Sequence, residues 1–159
     1  MAFEKARDHL AKFGLDDRIH IFDVSTATVE LAAQAVGCEP ARIAKTLSFE
    51  LGEGCVLIVC AGDVKIDNRK FKDAFHTKAK MLSPDRAEEL TGHRVGGVCP
   101  FGVNPDTAKV CLDASLRRFD VVYPAAGTDN TAVRLTLDEL EHATGGEWVD
   151  VCKAWRPEE

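Results

Sequence analysis

The stretch Lys45-Thr46-Leu47-Ser48-Phe49-Glu50-Leu51, then Gly52-Glu53-Gly54, then Cys55-Val56-Leu57-Ile58-Val59-Cys60 decides the fold class. Two apolar-rich runs flank a short glycine turn, a hairpin signal in which glycine supplies the positive φ values. The second run is apolar at every position, which marks a strand buried on both faces.

Helical patterns lie on either side of this hairpin. Upstream, residues 4–13 read as a helix stopped by Gly14, residues 18–22 as a short strand, and residues 28–36 as a second helix ended by Gly37. Val29, Ala32, Ala33 and Val36 recur at helical spacing, so that helix should pack on a sheet. Downstream, Asp67 can cap a helix over 68–75. Ser83-Pro84 opens another, with serine as cap and proline at the first helical position, and Gly92 stops it. Residues 109–112, 119–123 and 131–136 read as strands. Thr136-x-x-Glu139 is a capping box opening the last helix, which Gly145-Gly146 ends before a strand over 148–152. The tail 155–159 should fray. With no internal repeat or linker, residues 1–159 read as one α/β domain.

Composition agrees. The chain has 159 residues, 45% of them hydrophobic and 29% charged, enough to bury about 68–70% of its unfolded surface around one core. The opening segment is charged and amphipathic rather than a secretory signal. No apolar run approaches the ~20 residues that span a bilayer. A cytoplasmic protein with no membrane partner is the expectation.

Six cysteines could suggest a disulfide framework. Cys55, Cys60, Cys111 and Cys152 instead sit in or beside apolar runs, as small buried hydrophobes do. No C-x-x-C occurs, and no cysteine pair is followed by His at zinc-ligand spacing. Reduced, structural thiols are expected, with Cys99 the position to watch.

The net charge of −6 argues against a protein that grips a duplex along its length. Locally the balance reverses: Lys65, Arg69, Lys70, Lys72, Lys78 and Lys80 are opposed only by Asp67 and Asp73. This run reads either as a solvated helix face or as a small patch receiving a phosphodiester end.

Chemistry centres on Gly96-Gly97-Val98-Cys99-Pro100-Phe101-Gly102. Doubled glycine lets backbone approach a ligand closely. Pro100 fixes its own φ and pushes Cys99 towards extended geometry. The stiff bend could present N–H groups to a pocket, or could be a structural loop. Lys45, at the mouth of a strand, could reach a phosphate as a flexible point charge or be an ordinary exposed lysine. Arg42 lies three residues before it. The histidines His9, His20, His76, His93 and His142 form no H-x-x-x-H or H-E-x-x-H arrangement, and no Walker-type loop occurs. No metal or cofactor is called for.

Three segments, 42–47, 96–102 and Ala125-Ala126-Gly127, carry a resemblance. In order and spacing the chain resembles the YbaK/prolyl-tRNA-synthetase-associated family of aminoacyl-tRNA editing domains, over about residues 20–152. The resemblance implies a single-domain YbaK-like α/β fold, with a mixed, mostly antiparallel, barrel-like sheet flanked by helices. It implies a freestanding trans-editing hydrolase that deacylates mischarged aminoacyl-tRNA, with tRNA for proline carrying a small non-cognate amino acid as its substrate. Lys45 would hold the tRNA terminus, and Gly96 and Gly97 would supply backbone donors to the ester as negative charge develops. Phe22, Arg42, Val98, Cys99, Pro100, Phe101 and Gly102 would surround the terminal adenosine and its amino acid. Ala125, Ala126 and Gly127 would form the opposite wall.

The partners implied are the tRNA acceptor end and a prolyl-tRNA synthetase, with the chain acting as monomer or homodimer. The cysteinyl-tRNA branch carries a tyrosine where this chain has Phe22, and Ser-Gly-Gly where it has Ala125-Ala126-Gly127. Loss of those hydroxyls points away from cysteine as substrate. Pro100-Phe101-Gly102 resembles branches that clear alanine or other small residues. Two rivals stand beside this reading: a non-catalytic module that binds tRNA ends or nucleotides, and a thiol enzyme using Cys99, which would need a depressed pKa or an adjacent base.

Overall fold

The computed structural model describes residues 2–94 and 97–153. Gly96 and the tail 155–159 lie outside the described residues. In chain order the elements are α1 (Ala2–Ala11), β1 (Ile19–Ile21), α2 (Val29–Val36), β2 (Ile43–Leu51), β3 (Gly54–Ala61), β4 (Lys65–Ile66), α3 (Asn68–Phe75) and α4 (Pro84–Thr91). There follow β5 (Ala108–Asp113), β6 (Val121–Pro124), β7 (Thr131–Val133), β8 (Leu135–Thr136), α5 (Leu137–Thr144), β9 (Glu147–Val149) and β10 (Cys152–Lys153). Three 3-10 turns, Asp16–Arg18, Pro40–Arg42 and Ala114–Arg118, introduce or follow strands.

The β2–β3 hairpin is the centre of a six-stranded sheet of order β8-β6-β2-β3-β5-β9 that curls into a half-barrel. Beyond the antiparallel hairpin, β6 joins β2, β5 joins β3 and β9 joins β5, all parallel. Each of these strands arrives by a crossover, as parallel neighbours must. Ribbons β1–β7 and β4–β10 and the pair β6–β8 are antiparallel. The single mixed α/β domain expected from the sequence is the one observed.

All seven residues from Cys55 to Ala61 are buried, none more than 3% exposed. Each buried Val, Leu or Ile there stabilises the fold by about 1.5–3 kcal/mol. Helix ends fall where the residues dictate. Thr28, Asp67 and Ser83 accept hydrogen bonds from first-turn N–H groups, and Thr136 and Glu139 form the reciprocal capping box.

Several details differ from the sequence reading: α1 runs Ala2–Ala11 rather than over 4–13, and β2 begins at Ile43, so Lys45 lies inside the strand rather than at its mouth. The run 131–136 is two strands, broken at exposed Arg134, whose N–H donates to the Arg18 carbonyl. The run 148–152 splits between two sheets, because Asp113 Oδ1 captures the Val151 N–H at 2.9 Å. The strand expected over 119–123 begins only at Val121, since Phe119 closes the preceding 3-10 turn. In the hairpin turn Gly52 takes a positive φ of 60° but Gly54 does not. Gly54 is needed because the Thr107 main chain presses on it and accepts the Cys55 N–H at 2.8 Å.

Candidate functional site

Pairing between β2 and β6 stops after Ala44 and Pro124. Beyond that point the two chains diverge and a cavity of about 260 Å³ opens between them. One wall is β2 itself, including Lys45, Thr46 and Ser48. Others come from the start of α2, from Met81, and from Val98 facing Ala125 and Thr131. Met81 is 59% exposed and stands at the mouth.

Lys45 lines this cavity, but its ammonium is tethered. Nζ donates to the Gly62 carbonyl at 3.4 Å and to the Val64 carbonyl. An ammonium has three donors, so one N–H remains for a ligand. Between those two carbonyls, Asp63 is gripped by Arg118 at 2.6 and 3.0 Å. The Arg118 guanidinium holds the Asp63 carboxyl below its usual range, with Lys45 contributing a little. Lys45 is thus a fixed cation on a charged turn.

The glycine loop divides into two functions. Val98 faces the cavity, whereas Gly97 lies behind it, against the main chain of Gly127 and Thr128. The Gly97 N–H is already spent on the Arg94 carbonyl at 2.9 Å, so it does not serve as a donor to an ester. Its part is close approach. On the opposite side Ala125 lines the cavity. Ala126 is fully buried and donates its N–H to Thr131 Oγ1 at 3.1 Å, and Gly127 adopts a φ of 86°.

Residues 99–102 point the other way. Pro100 and Phe101 are buried, and Gly102 (φ 75°) packs against the Lys5 carbonyl of α1. They anchor the loop and do not line the cavity. Phe22 is likewise off the lining; it exchanges hydrogen bonds with Asn130 at 2.8 and 3.3 Å. Arg42 pairs with Glu39 at 3.3 Å and lies over the Phe119 ring at 4.9 Å, in a separate groove with Tyr123 and Arg134.

Cys99 is wholly buried, and burial pushes its thiol up to about 12. His93 Nε2 lies 3.5 Å from its sulfur, yet the same nitrogen is 2.8 Å from the Phe101 carbonyl. A carbonyl only accepts, so Nε2 carries the proton and cannot take one from the thiol. Burial also lowers the His93 pKa, which keeps the ring neutral. The structure therefore offers no activation for a Cys99 nucleophile.

The basic run lies partly in structural use: Lys70 donates to the Cys152 carbonyl at 3.0 Å. Lys78 and Lys80 are exposed, and their segment reaches the mouth through Met81, which bridges Phe49. Thr26, Thr28, Thr46, Ser48, Tyr123 and Thr131, absent from the sequence-based candidates, are the hydroxyl-bearing residues of the lining. Thr46 and Ser48, alternating with Leu47 and Phe49 along β2, are the signal the sequence offers. Among the described residues no group of three His, Cys, Asp or Glu side chains is placed to hold a metal ion. Nor, among them, is any helix long and apolar enough to cross a membrane.

The family described as Aminoacyl-tRNA editing domain matches residues 23–143, which include Lys45, the glycine loop and the 125–127 wall. The chain belongs to this editing-domain family. A Bacillus subtilis relative, named only as uncharacterized protein YwhH, is 48% identical to the editing domain over 158 residues, 98% of this chain and 99% of that one. A Thermotoga proline–tRNA ligase is 31% identical over 91 residues; the match spans 57% of this chain but 15% of the ligase. A solved structure described as a proposed trans-editing enzyme for prolyl tRNA synthetase superposes with a TM-score of 0.86 at 30% identity, covering 96% of this chain and 98% of that one.

Proposed function

We propose that this editing domain is a freestanding hydrolase that removes a mischarged amino acid from tRNA, with tRNA for proline carrying a small non-cognate residue as the substrate class. The observation that carries the reading is the cavity itself. It lies between a fixed cation, Lys45, and a tightly closed seam at Gly97 and Gly127, and it is lined by hydroxyl-bearing and apolar side chains, with Ala125 beside Val98. Such a site suits an aminoacyl ester attached to a terminal adenosine. The likeness to the described trans-editing structure and to part of a proline–tRNA ligase supports both the tRNA and a synthetase as partners.

In this mechanism the remaining N–H of Lys45 takes a phosphate oxygen of the tRNA terminus, a charge-assisted contact. Lys78 and Lys80 add positive potential at the mouth, while the acidic remainder keeps the rest of the tRNA off the surface. The aminoacyl group enters beside Val98 and Ala125. Water attacks the ester carbon, assisted by the neighbouring ribose hydroxyl, and the ester bond to the ribose oxygen breaks. Positioning supplies the acceleration. Release of amino acid from a panel of mischarged tRNAs tests the reading; binding of tRNA ends without release would make the chain a non-catalytic module instead.

A further inference from the structure

Along β2, the Ser48 carbonyl accepts the Leu82 N–H at 3.1 Å and the Glu50 N–H donates to the Lys80 carbonyl at 2.8 Å. Even-numbered residues of β2 therefore turn their main-chain groups away from β3. At the other end, Ile43 and Ala44 are paired with Tyr123 and Pro124 of β6. Thr46 stands between these two paired stretches. The next rung would join Thr46 to Ala125, but the pairing has already ended, and both residues line the cavity. At this missing rung the Thr46 hydroxyl is sealed from water and has no hydrogen-bond partner among the described residues. Buried polar groups are nearly always satisfied, and an exception calls for a reason.

Charge narrows what could fill the gap. Among the described residues no Asp or Glu lines the cavity, and Lys45 is its one charged side chain. A substrate α-amino group here meets neutral oxygens rather than a carboxylate. We propose that the aminoacyl group closes the missing rung. Its α-amino group donates to the Ala125 carbonyl and Thr46 Oγ1, and its ester carbonyl accepts the Thr46 N–H. Thr46 is then a positioning residue that reads the substrate as an amino acid rather than as a plain acyl ester. This rests on the deacylase reading above.

Two stable probes separate the possibilities: 3′-alanylamido-3′-deoxyadenosine and its desamino counterpart, 3′-propionylamido-3′-deoxyadenosine, titrated calorimetrically. Wild-type protein should bind the alanyl probe about tenfold more tightly, a difference of ~1.4 kcal/mol. Thr46→Val should lose that preference while binding the propionyl probe as before, and Thr46→Ser should keep it. The thermal midpoint of Thr46→Val should equal or exceed wild type, because that variant removes an unsatisfied hydroxyl. Equal binding of both probes by wild type, or an unchanged preference in Thr46→Val, overturns the seat. If wild type binds neither probe, the seat is also overturned. Deacylation of mischarged tRNA then shows whether the proposed function survives without it.

Discussion

Gly97 and Thr128 meet main chain to main chain: a Cβ on Gly97 would lie 2.7 Å from both the Cα and the N of Thr128. No flexible side chain stands there to yield. The contact joins the loop that carries Val98 to the segment that carries Ala125, so it sets the width of the cavity.

Gly97→Ala should therefore cost about 1–3 kcal/mol of stability, the usual range for overpacking, and should reduce deacylation beyond the loss of folded protein. Chemical denaturation gives the first quantity and turnover per folded molecule the second. An unchanged midpoint would show that the seam accommodates a methyl group.

Lys45→Ala removes a cation held by two carbonyls and offered to a phosphate. A charge-assisted hydrogen bond is worth about 1.5–3 kcal/mol, so kcat/KM should fall at least about tenfold. The loss should shrink as salt is raised, since wild-type binding is screened and the variant's is not. A well-folded variant with normal turnover would remove Lys45 from the site.

Cys99 should be chemically silent. With its thiol pushed up to about 12 in a closed environment, alkylation near neutral pH should follow global unfolding rather than outrun it. Cys99→Ser should keep deacylation within about tenfold, ~1.4 kcal/mol. Rapid labelling of Cys99 in native protein, coupled to loss of turnover, would revive a thiol mechanism.

His93 makes the fold acid-sensitive. Its pKa is lowered from 6.5 by burial, so below pH 6.5 the unfolded chain takes up a proton that the folded chain refuses. Its contribution is present above 6.5 and is lost as pH falls towards the folded value. Denaturation midpoints should decline in that window, and His93→Gln should flatten the decline. The carboxylates of Asp63 and Glu139, held low mainly by hydrogen bonds to Arg118 and to the Thr136 backbone, add their losses only at more acidic pH. An equal slope in His93→Gln would assign the effect elsewhere.

Local signals carried most of the fold. Thr28, Asp67, Ser83 and Thr136 each announce a helix start by a short-range hydrogen bond, and an apolar run such as 55–60 admits few placements. Long-range capture was not legible. Nothing adjacent to Val151 says that Asp113 will take its N–H, so the local pattern reads 148–152 as one strand. The site divided in the same way. Lys45, Val98 and Ala125 line one cavity, whereas Gly102 packs against Lys5 of α1, a residue far away in the chain. The significance of Thr46 lies in a rung that β6 fails to supply, which no local pattern announces.

Release of amino acid from alanyl-tRNA for proline, compared with correctly charged prolyl-tRNA and with other mischarged pairs, tests the central claim most directly. The expected result is catalytic hydrolysis of a small non-cognate pair, sparing of prolyl-tRNA, and loss of that hydrolysis in Lys45→Ala. Hydrolysis of no member of the panel by folded protein, with the synthetase present as well as absent, would contradict it.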